Sequence, residues 1–281
     1  MNIEDFNLEI NLAKLNQVLE RTAERSIELK DKSLFQKIFS LIDLTSLDVT
    51  DSNKKIETMV AKVNSLGEKF PELPNVAAIC VYPNFIPLLK SSLKAPGVKI
   101  ASVGASFPSS QTFLDVKLME VERIISEGAD EVDIVMPVGS FLTGKYNDVY
   151  EEIKEIKSVV GDKHLKVILE VSALKDPEKI KLASLISLEA GADFIKTSTG
   201  KNGEGASPES VYIMAQAIKE FSKKTGTFPG IKPAGGISDA AGAIQYYLIV
   251  NEILGNEWIK PSRFRIGASR LANNLLGENY F

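Results

Sequence analysis

Two regimes of hydrophobic and polar patterning alternate along this chain of 281 residues. Short apolar runs, many of them β-branched, occupy Leu41–Leu44, Val76–Val81, Val98–Val103, Glu131–Val135, Leu165–Glu170, Asp193–Thr197, Gly230–Pro233 and Phe264–Gly267. Runs of that length with little alternation predict strands buried on both faces. Amphipathic stretches of helical period lie between them, most clearly Asp51–Leu66, Thr112–Glu127, Tyr146–Val160, Pro177–Ala190, Pro208–Ser222 and Ser238–Leu254. Asp176-Pro177 and Ser207-Pro208 read as an N-cap followed by proline in the first turn, and Gly128 and Gly191 stand where helices should stop. Strands recur every 22 to 36 residues or so, an interval that suits βα units feeding a parallel sheet.

Eight such units predict an α/β chain folded as a closed (β/α)8 TIM barrel over residues 41–281. An open, doubly wound sheet is the rival, but no G-x-G-x-x-G follows the first strand and a dinucleotide site has no support. Residues 1–40 carry Leu8, Ile10, Leu12, Leu15, Val18 and Leu19 at roughly helical spacing. They are expected to form an N-terminal helical extension that packs on the barrel or on a partner subunit, the second option being compatible with a homodimer.

Composition narrows the function. A formal net charge of -4 gives no long-range pull toward nucleic acid or an anionic membrane. No apolar run approaches the roughly 20 residues that span a bilayer, and the acidic, amphipathic start does not resemble a signal peptide. The single cysteine fits a reducing, cytoplasmic setting. The single histidine, His164, lies in a polar turn ahead of an apolar run, the wrong end of a barrel strand for catalysis. A His-rich metal site and a Ser-His triad are both disfavoured, which leaves acid–base work to carboxylates, lysines, tyrosine or water.

The charges inside the apolar runs are the candidate chemistry. Lys196 interrupts the sixth strand and Lys232 the seventh. Strand side chains alternate and neighbouring strands run under about 5 Å apart, so both ammonium groups can point into one barrel mouth. A buried lysine beside a second cation tends to lose its proton and become a nucleophile, and Lys196 is assigned as a Schiff-base lysine. A structural ion pair is the plainer alternative for either lysine. Asp133, in the fourth strand, can pair with a lysine and relay protons through water, or it can only hold the lysines in place. Asp43 ends the first strand as part of the site or as a turn cap. Cys80 is a small residue near the site. Gly200, Gly235, Gly236 and Gly267 end the last three strands, where backbone N–H groups can approach an anion. Together with Thr199, Lys201, Ser238, Ser269 and Arg270 they predict a phosphate cradle, the usual place for one in a barrel. Any one of these glycines alone would read as a tight turn.

Phe194-Ile195-Lys196-Thr197-Ser198-Thr199-Gly200-Lys201 with Lys232-Pro233-Ala234-Gly235-Gly236 resembles the deoxyribose-phosphate aldolase family. The likeness extends through Ile42-Asp43-Leu44-Thr45, Ala77–Pro83, Ala129-Asp130-Glu131-Val132-Asp133 and Phe264–Ser269, in order from about residue 40 to 277. It implies a class I aldolase that cleaves 2-deoxy-D-ribose 5-phosphate reversibly to D-glyceraldehyde 3-phosphate and acetaldehyde. No metal or cofactor would be needed beyond a covalent imine on Lys196. Lys232 would lower the pKa of that lysine and Asp133 would help to move protons. The chain departs from the family pattern at Ser238, where an arginine is common, at Arg270, where a small residue is common, and in the fifth strand, which reads Glu170-Val171-Ser172-Ala173-Leu174 where a Thr-Gly-Glu run is usual. A C-terminal tyrosine serves some members as a proton relay, and Tyr280 is the candidate here. Two other readings stay open: a Schiff-base barrel enzyme for a different phosphosugar, and a phosphosugar-binding barrel without turnover.

Overall fold

A computed structural model describes residues 6–29 and 31–281. Eight parallel strands run β1 (Ile42–Thr45), β2 (Ala78–Val81), β3 (Lys99–Gly104), β4 (Glu131–Val135), β5 (His164–Ile168), β6 (Phe194–Lys196), β7 (Gly230–Lys232) and β8 (Ile266–Ala268). They form one sheet in the order β7-β6-β5-β4-β3-β2-β1-β8. Parallel bridges Ile231↔Phe264 and Ala234↔Gly267 join the two ends of that order. The predicted (β/α)8 barrel is therefore the observed one, and every predicted strand falls within a few residues of its place.

The strand sequences explain the architecture. Outward-pointing residues such as Ile79, Val132, Ile134, Leu165, Val167, Ile195 and Ile231 are fully buried against the helices and belong to one continuous apolar core. Inward-pointing positions of the later strands carry charge instead. Gly230 has no side chain because Phe194 fills its place: a Cβ there would lie 2.2 Å from the Phe194 ring. The ring thus plugs the barrel between β6 and β7 at the level of Lys166, its register partner on β5.

Helix signals behaved as their chemistry requires. Tyr146–Val160 forms one helix, and Pro177–Glu189 and Pro208–Thr225 start where proline and its cap were read. Asp176 accepts from the Glu178 N–H, and Ser207 forms a reciprocal capping box with Ser210. Gly128 and Gly191 follow helix ends with φ of 106° and 98°. Ile86–Ser92, a short helix with a proline in its first turn, gave no clear period in the sequence. Glu170 is not strand: it adopts φ 56° and ψ 61° ahead of the short helix Val171–Leu174.

The N-terminal extension is two helices, Leu12–Glu28 and Lys32–Phe39, where one helical stretch was expected. Asp31 starts the second by accepting from the Leu34 N–H, which interrupts the first. The parts of that expectation covering residues 1–5 and 30 lie outside the described residues. The first helix packs on Ala240–Leu254 of the same chain, with Leu15 and Val18 buried, Arg21 paired to Glu252, and Gln245 Nε2 donating to the Leu19 carbonyl at 3.2 Å. Among the described residues no helix is long and apolar enough to cross a membrane.

Candidate active site

The barrel register decides which charges meet. Asp133 pairs in register with Lys166, and Lys196 with Lys232. Asp133 is the hub, because all three ammonium groups converge on it: Lys166 Nζ donates to Oδ1 at 2.9 Å, and Lys196 and Lys232 both donate to Oδ2, at 2.8 and 2.7 Å. Lys232 Nζ also lies 2.6 Å from Asp43 Oδ2, an ion contact that is not aligned as a hydrogen bond. A second tier sits beneath. Arg265 donates to Asp43 Oδ1 at 2.5 Å and to Glu131 Oε1 at 2.7 Å, and Lys166 lies 2.6 Å from Glu131 Oε2. All seven groups are buried.

Burial alone would drive each of these groups toward its neutral form, and the neighbours decide the outcome. For Asp133, burial is outweighed by Lys166, Lys196 and Lys232, which hold its pKa well below the usual carboxylate range. Glu131 is likewise held well down against burial, by Lys166, His164 and Arg265. Lys232 is the reverse case: burial opposes its charge, but Asp133 and Asp43 raise its pKa above that of a free lysine. Lys196 differs from both other lysines. Burial lowers its pKa, Asp133 pulls it partly back and the Lys232 ammonium pushes it down again, so that it ends below the ordinary value. Lys196 and Lys232 thus lie side by side with shifts in opposite directions, but Lys232 is fully buried and does not line the mouth into which both were expected to point.

Lys196 forms part of the wall of a cleft of about 710 Å³ at the C-terminal ends of the strands. Of the predicted phosphate residues, Thr199, Gly200, Lys201, Gly235, Gly236, Gly267, Ser269 and Arg270 all line it. Five basic residues line the cleft, Lys55, Lys62, Lys196, Lys201 and Arg270, against one acid, Asp48; with Lys55 already paired to Asp51, the remaining balance still suits an anionic ligand. Lys201 also donates to the carbonyl of Leu47 across the mouth. The glycines are there for close approach. A Cβ on Gly205 would sit 2.0 Å from the Gly235 carbonyl oxygen, so the loops after β6 and β7 touch backbone to backbone. Thr197 stitches the same two loops, its hydroxyl accepting from the Ala234 N–H at 2.9 Å and donating to the Ala234 carbonyl at 3.0 Å.

Of the residues predicted to contact substrate, three do not line the cleft. Asp43 is buried under Lys232, where it accepts from Arg265 rather than facing the cleft. Cys80 is fully buried on β2 among Ala78, Ala101, Val103 and Leu47, and burial and then Asp133 raise its thiol pKa, so it stays a protonated filler beneath the mouth. Ser238 stands outside the lining residues, with its carbonyl accepting from Asn274 at 2.5 Å. Tyr280 does not reach the lysines: its hydroxyl donates to the Lys62 carbonyl at 2.9 Å and lies 3.0 Å from Ser65 Oγ. His164 begins β5 at the opposite end of the barrel, with Nδ1 3.3 Å from Glu131.

Sequence reading did not single out Lys166, Glu131, Arg265, Glu170, Lys55 or Lys62. Lys166 and Glu131 carried the same signal as Lys196, a charge inside a doubly buried strand. Glu170 accepts from the Thr199 N–H at 3.2 Å and hydroxyl at 2.5 Å, fixing the start of the Gly200 loop. Lys55 and Lys62 come from the helix Asn53–Asn64, whose exposed face gave no hint of a cleft.

The chain is similar to known proteins in sequence and in fold. A family model described as DeoC/LacD family aldolase matches residues 38–246. Human deoxyribose-phosphate aldolase is 38% identical over 254 residues, covering 87% of this chain and 80% of the human protein. The solved structure of an aldolase, QR15, is 33% identical with a TM-score of 0.69 and covers 85% of this chain and 95% of its own. The deoxyribose phosphate aldolase of Aeropyrum pernix, described as having a unique tetrameric structure, is 26% identical with a TM-score of 0.68 and covers 92% of this chain and 96% of its own.

Proposed function

The chain belongs to the DeoC/LacD family of aldolases, and from that membership we propose that it cleaves 2-deoxy-D-ribose 5-phosphate reversibly to D-glyceraldehyde 3-phosphate and acetaldehyde through an imine on Lys196. The observation that carries this reading is the position of Lys196: it is the one lysine of the buried cluster whose pKa is lowered, and it opens onto a cationic cleft. As a free amine it adds to C1 of the open-chain sugar, loses water to form an imine, and takes up one proton from solvent to become the iminium ion. The iminium draws in the electrons of the C2–C3 bond while the C3 hydroxyl gives up its proton. D-glyceraldehyde 3-phosphate leaves, and the two carbons on Lys196 remain as an enamine. Protonation of the enamine carbon and hydrolysis release acetaldehyde and restore the amine.

The other groups have distinct parts in this scheme. Lys232 stays an ammonium ion and disfavours a second charge on Lys196. Asp133 orients both lysines. Held anionic by the lysines around it, Lys166 first, it is a weak base, which favours water as the carrier of the moving proton. Lys201, Arg270 and the Gly200, Gly235–Gly236 and Gly267 loops receive the phosphate. The scheme asks nothing of a metal or other cofactor.

The buried free thiol of Cys80 suits a reducing compartment, and we place the enzyme in the cytoplasm, in the breakdown of deoxyribose phosphate. Phe113, Val116 and Met119 expose an apolar face at one helix start, which a second copy is proposed to cover in a homodimer or larger homo-oligomer. Light scattering coupled to gel filtration checks that assembly.

The activity is tested by following glyceraldehyde 3-phosphate release from 2-deoxyribose 5-phosphate beside a panel of other phosphosugars. Turnover largely confined to deoxyribose phosphate supports the assignment. Preference for another phosphosugar would transfer the same lysine chemistry to that substrate.

A further inference from the structure

The buried cluster contains four cations, Lys166, Lys196, Lys232 and Arg265, and three carboxylates, Asp43, Glu131 and Asp133. With every group ionised it holds one positive charge in excess, in an interior where an uncompensated charge is strongly disfavoured. Release of one proton removes that excess. The contacts decide which cation gives it up. Lys166 lies within 3.7 Å of all three carboxylates, Lys232 within 2.7 Å of Asp43 and Asp133, and Arg265 within 2.7 Å of Asp43 and Glu131. Lys196 touches only Asp133, and there shares Oδ2 with Lys232.

We propose that Lys166, which takes no part in lining the cleft, keeps Lys196 unprotonated: it supplies the fourth cation and occupies the Asp133 oxygen that Lys196 would otherwise have. It is a positioning residue that acts through Asp133, and the inference rests on the imine reading of Lys196 above. Register makes the effect specific, because Lys166 stands directly beside Asp133 on the neighbouring strand and on the same inward face. The titratable and charged groups that face the pair are Asp43 on β1, Cys80 on β2, Glu131 and Asp133 on β4, Lys232 on β7, and Arg265 just before β8. His164 adds a contact to Glu131 at the far edge, where its side chain is part exposed.

Deleting the charge of Lys166 leaves three cations and three carboxylates, a balanced set in which Lys196 keeps its proton. The test compares the wild type with Lys166→Met and Lys166→Arg. It measures kcat/KM against pH and, separately, the rate at which acetaldehyde and cyanoborohydride add to Lys196, read by intact mass and peptide mapping. In Lys166→Met the acid limb of both profiles should move up by about one pH unit or more, so that trapping at pH 7 falls roughly tenfold and recovers toward pH 9. Lys166→Arg, which keeps the charge, should leave the limb near its wild-type position. Lys166→Gln carries the same charge test should Lys166→Met fail to fold. A limb that stays put in the charge-deleted protein, or a loss equal at every pH, would overturn the inference. A wild type that shows no trapping at any pH would instead sink the imine reading itself.

Discussion

Lys196 and Lys232 stand side by side in register on β6 and β7 and donate to one and the same oxygen, Oδ2 of Asp133, at 2.8 and 2.7 Å. The two amines are equal in type and nearly equal in burial, yet their pKa values move in opposite directions. The difference lies in Asp43, which supports Lys232 and not Lys196. One lysine is thereby kept as a permanent cation and its neighbour is made available for attack.

Replacing the nucleophile should separate chemistry from stability. Lys196→Ala removes an amine that carries no charge in the resting cluster and leaves three cations balanced by three carboxylates, so the melting temperature should stay within a few degrees of wild type. Retro-aldol turnover should fall by about a thousandfold or more. Paired thermal-shift and turnover assays measure both.

Asp133→Asn should do the opposite to stability. It leaves the buried ammonium groups of Lys166 and Lys232 beside a neutral amide, and breaking a buried pair from one side costs about 3–5 kcal/mol. Urea unfolding at pH 7 is the check, and a loss under about 1 kcal/mol would contradict the hub role given to this carboxylate.

The same carboxylates set the response to acid. Asp133 and Glu131 have folded pKa values well below their unfolded ones, so the unfolded chain binds more protons as pH falls. Their contribution is fully present above the unfolded values of about 4 and is lost as pH falls through the folded ones. Unfolding free energy should therefore be insensitive to these groups from neutrality down to about pH 5, then drop steeply with acidification. Urea titrations at a series of pH values test the sign.

Tyr280→Phe separates an anchor from a relay. The hydroxyl bonds to the end of the helix Asn53–Asn64, and Asn273 Oδ1 holds the Tyr280 and Phe281 N–H groups at 2.9 and 2.6 Å. Loss of the hydroxyl should cost about 1 kcal/mol of stability at most and leave kcat within about twofold. A large fall in the exchange of acetaldehyde methyl protons with solvent would restore a catalytic role.

Most of the fold could be read from the chain because a barrel strand is apolar on both sides and ends in a glycine or a polar loop. Lys196, Lys232 and Asp133 stood out because ammonium and carboxylate groups in such strands need partners. Lys166 and Glu131 carried that signal too, but one strand at a time gives no register, and register is what joins them to Asp133. The contact of Gly205 with Gly235 was hidden for another reason: it is made by backbone atoms of loops 30 residues apart, which leave no mark on hydrophobic pattern. Asp43 and Cys80 were placed at the right strands and the wrong depth, since pattern shows which face a residue takes and not how far below the mouth it lies.

Reducing the protein with borohydride in the presence of 2-deoxyribose 5-phosphate, then mapping the modified peptide, shows whether Lys196 carries the imine. A single stable adduct on Lys196 is expected, absent without substrate and absent in Lys196→Ala. An adduct on Lys232 instead, or substrate turnover with no adduct at all, would contradict it.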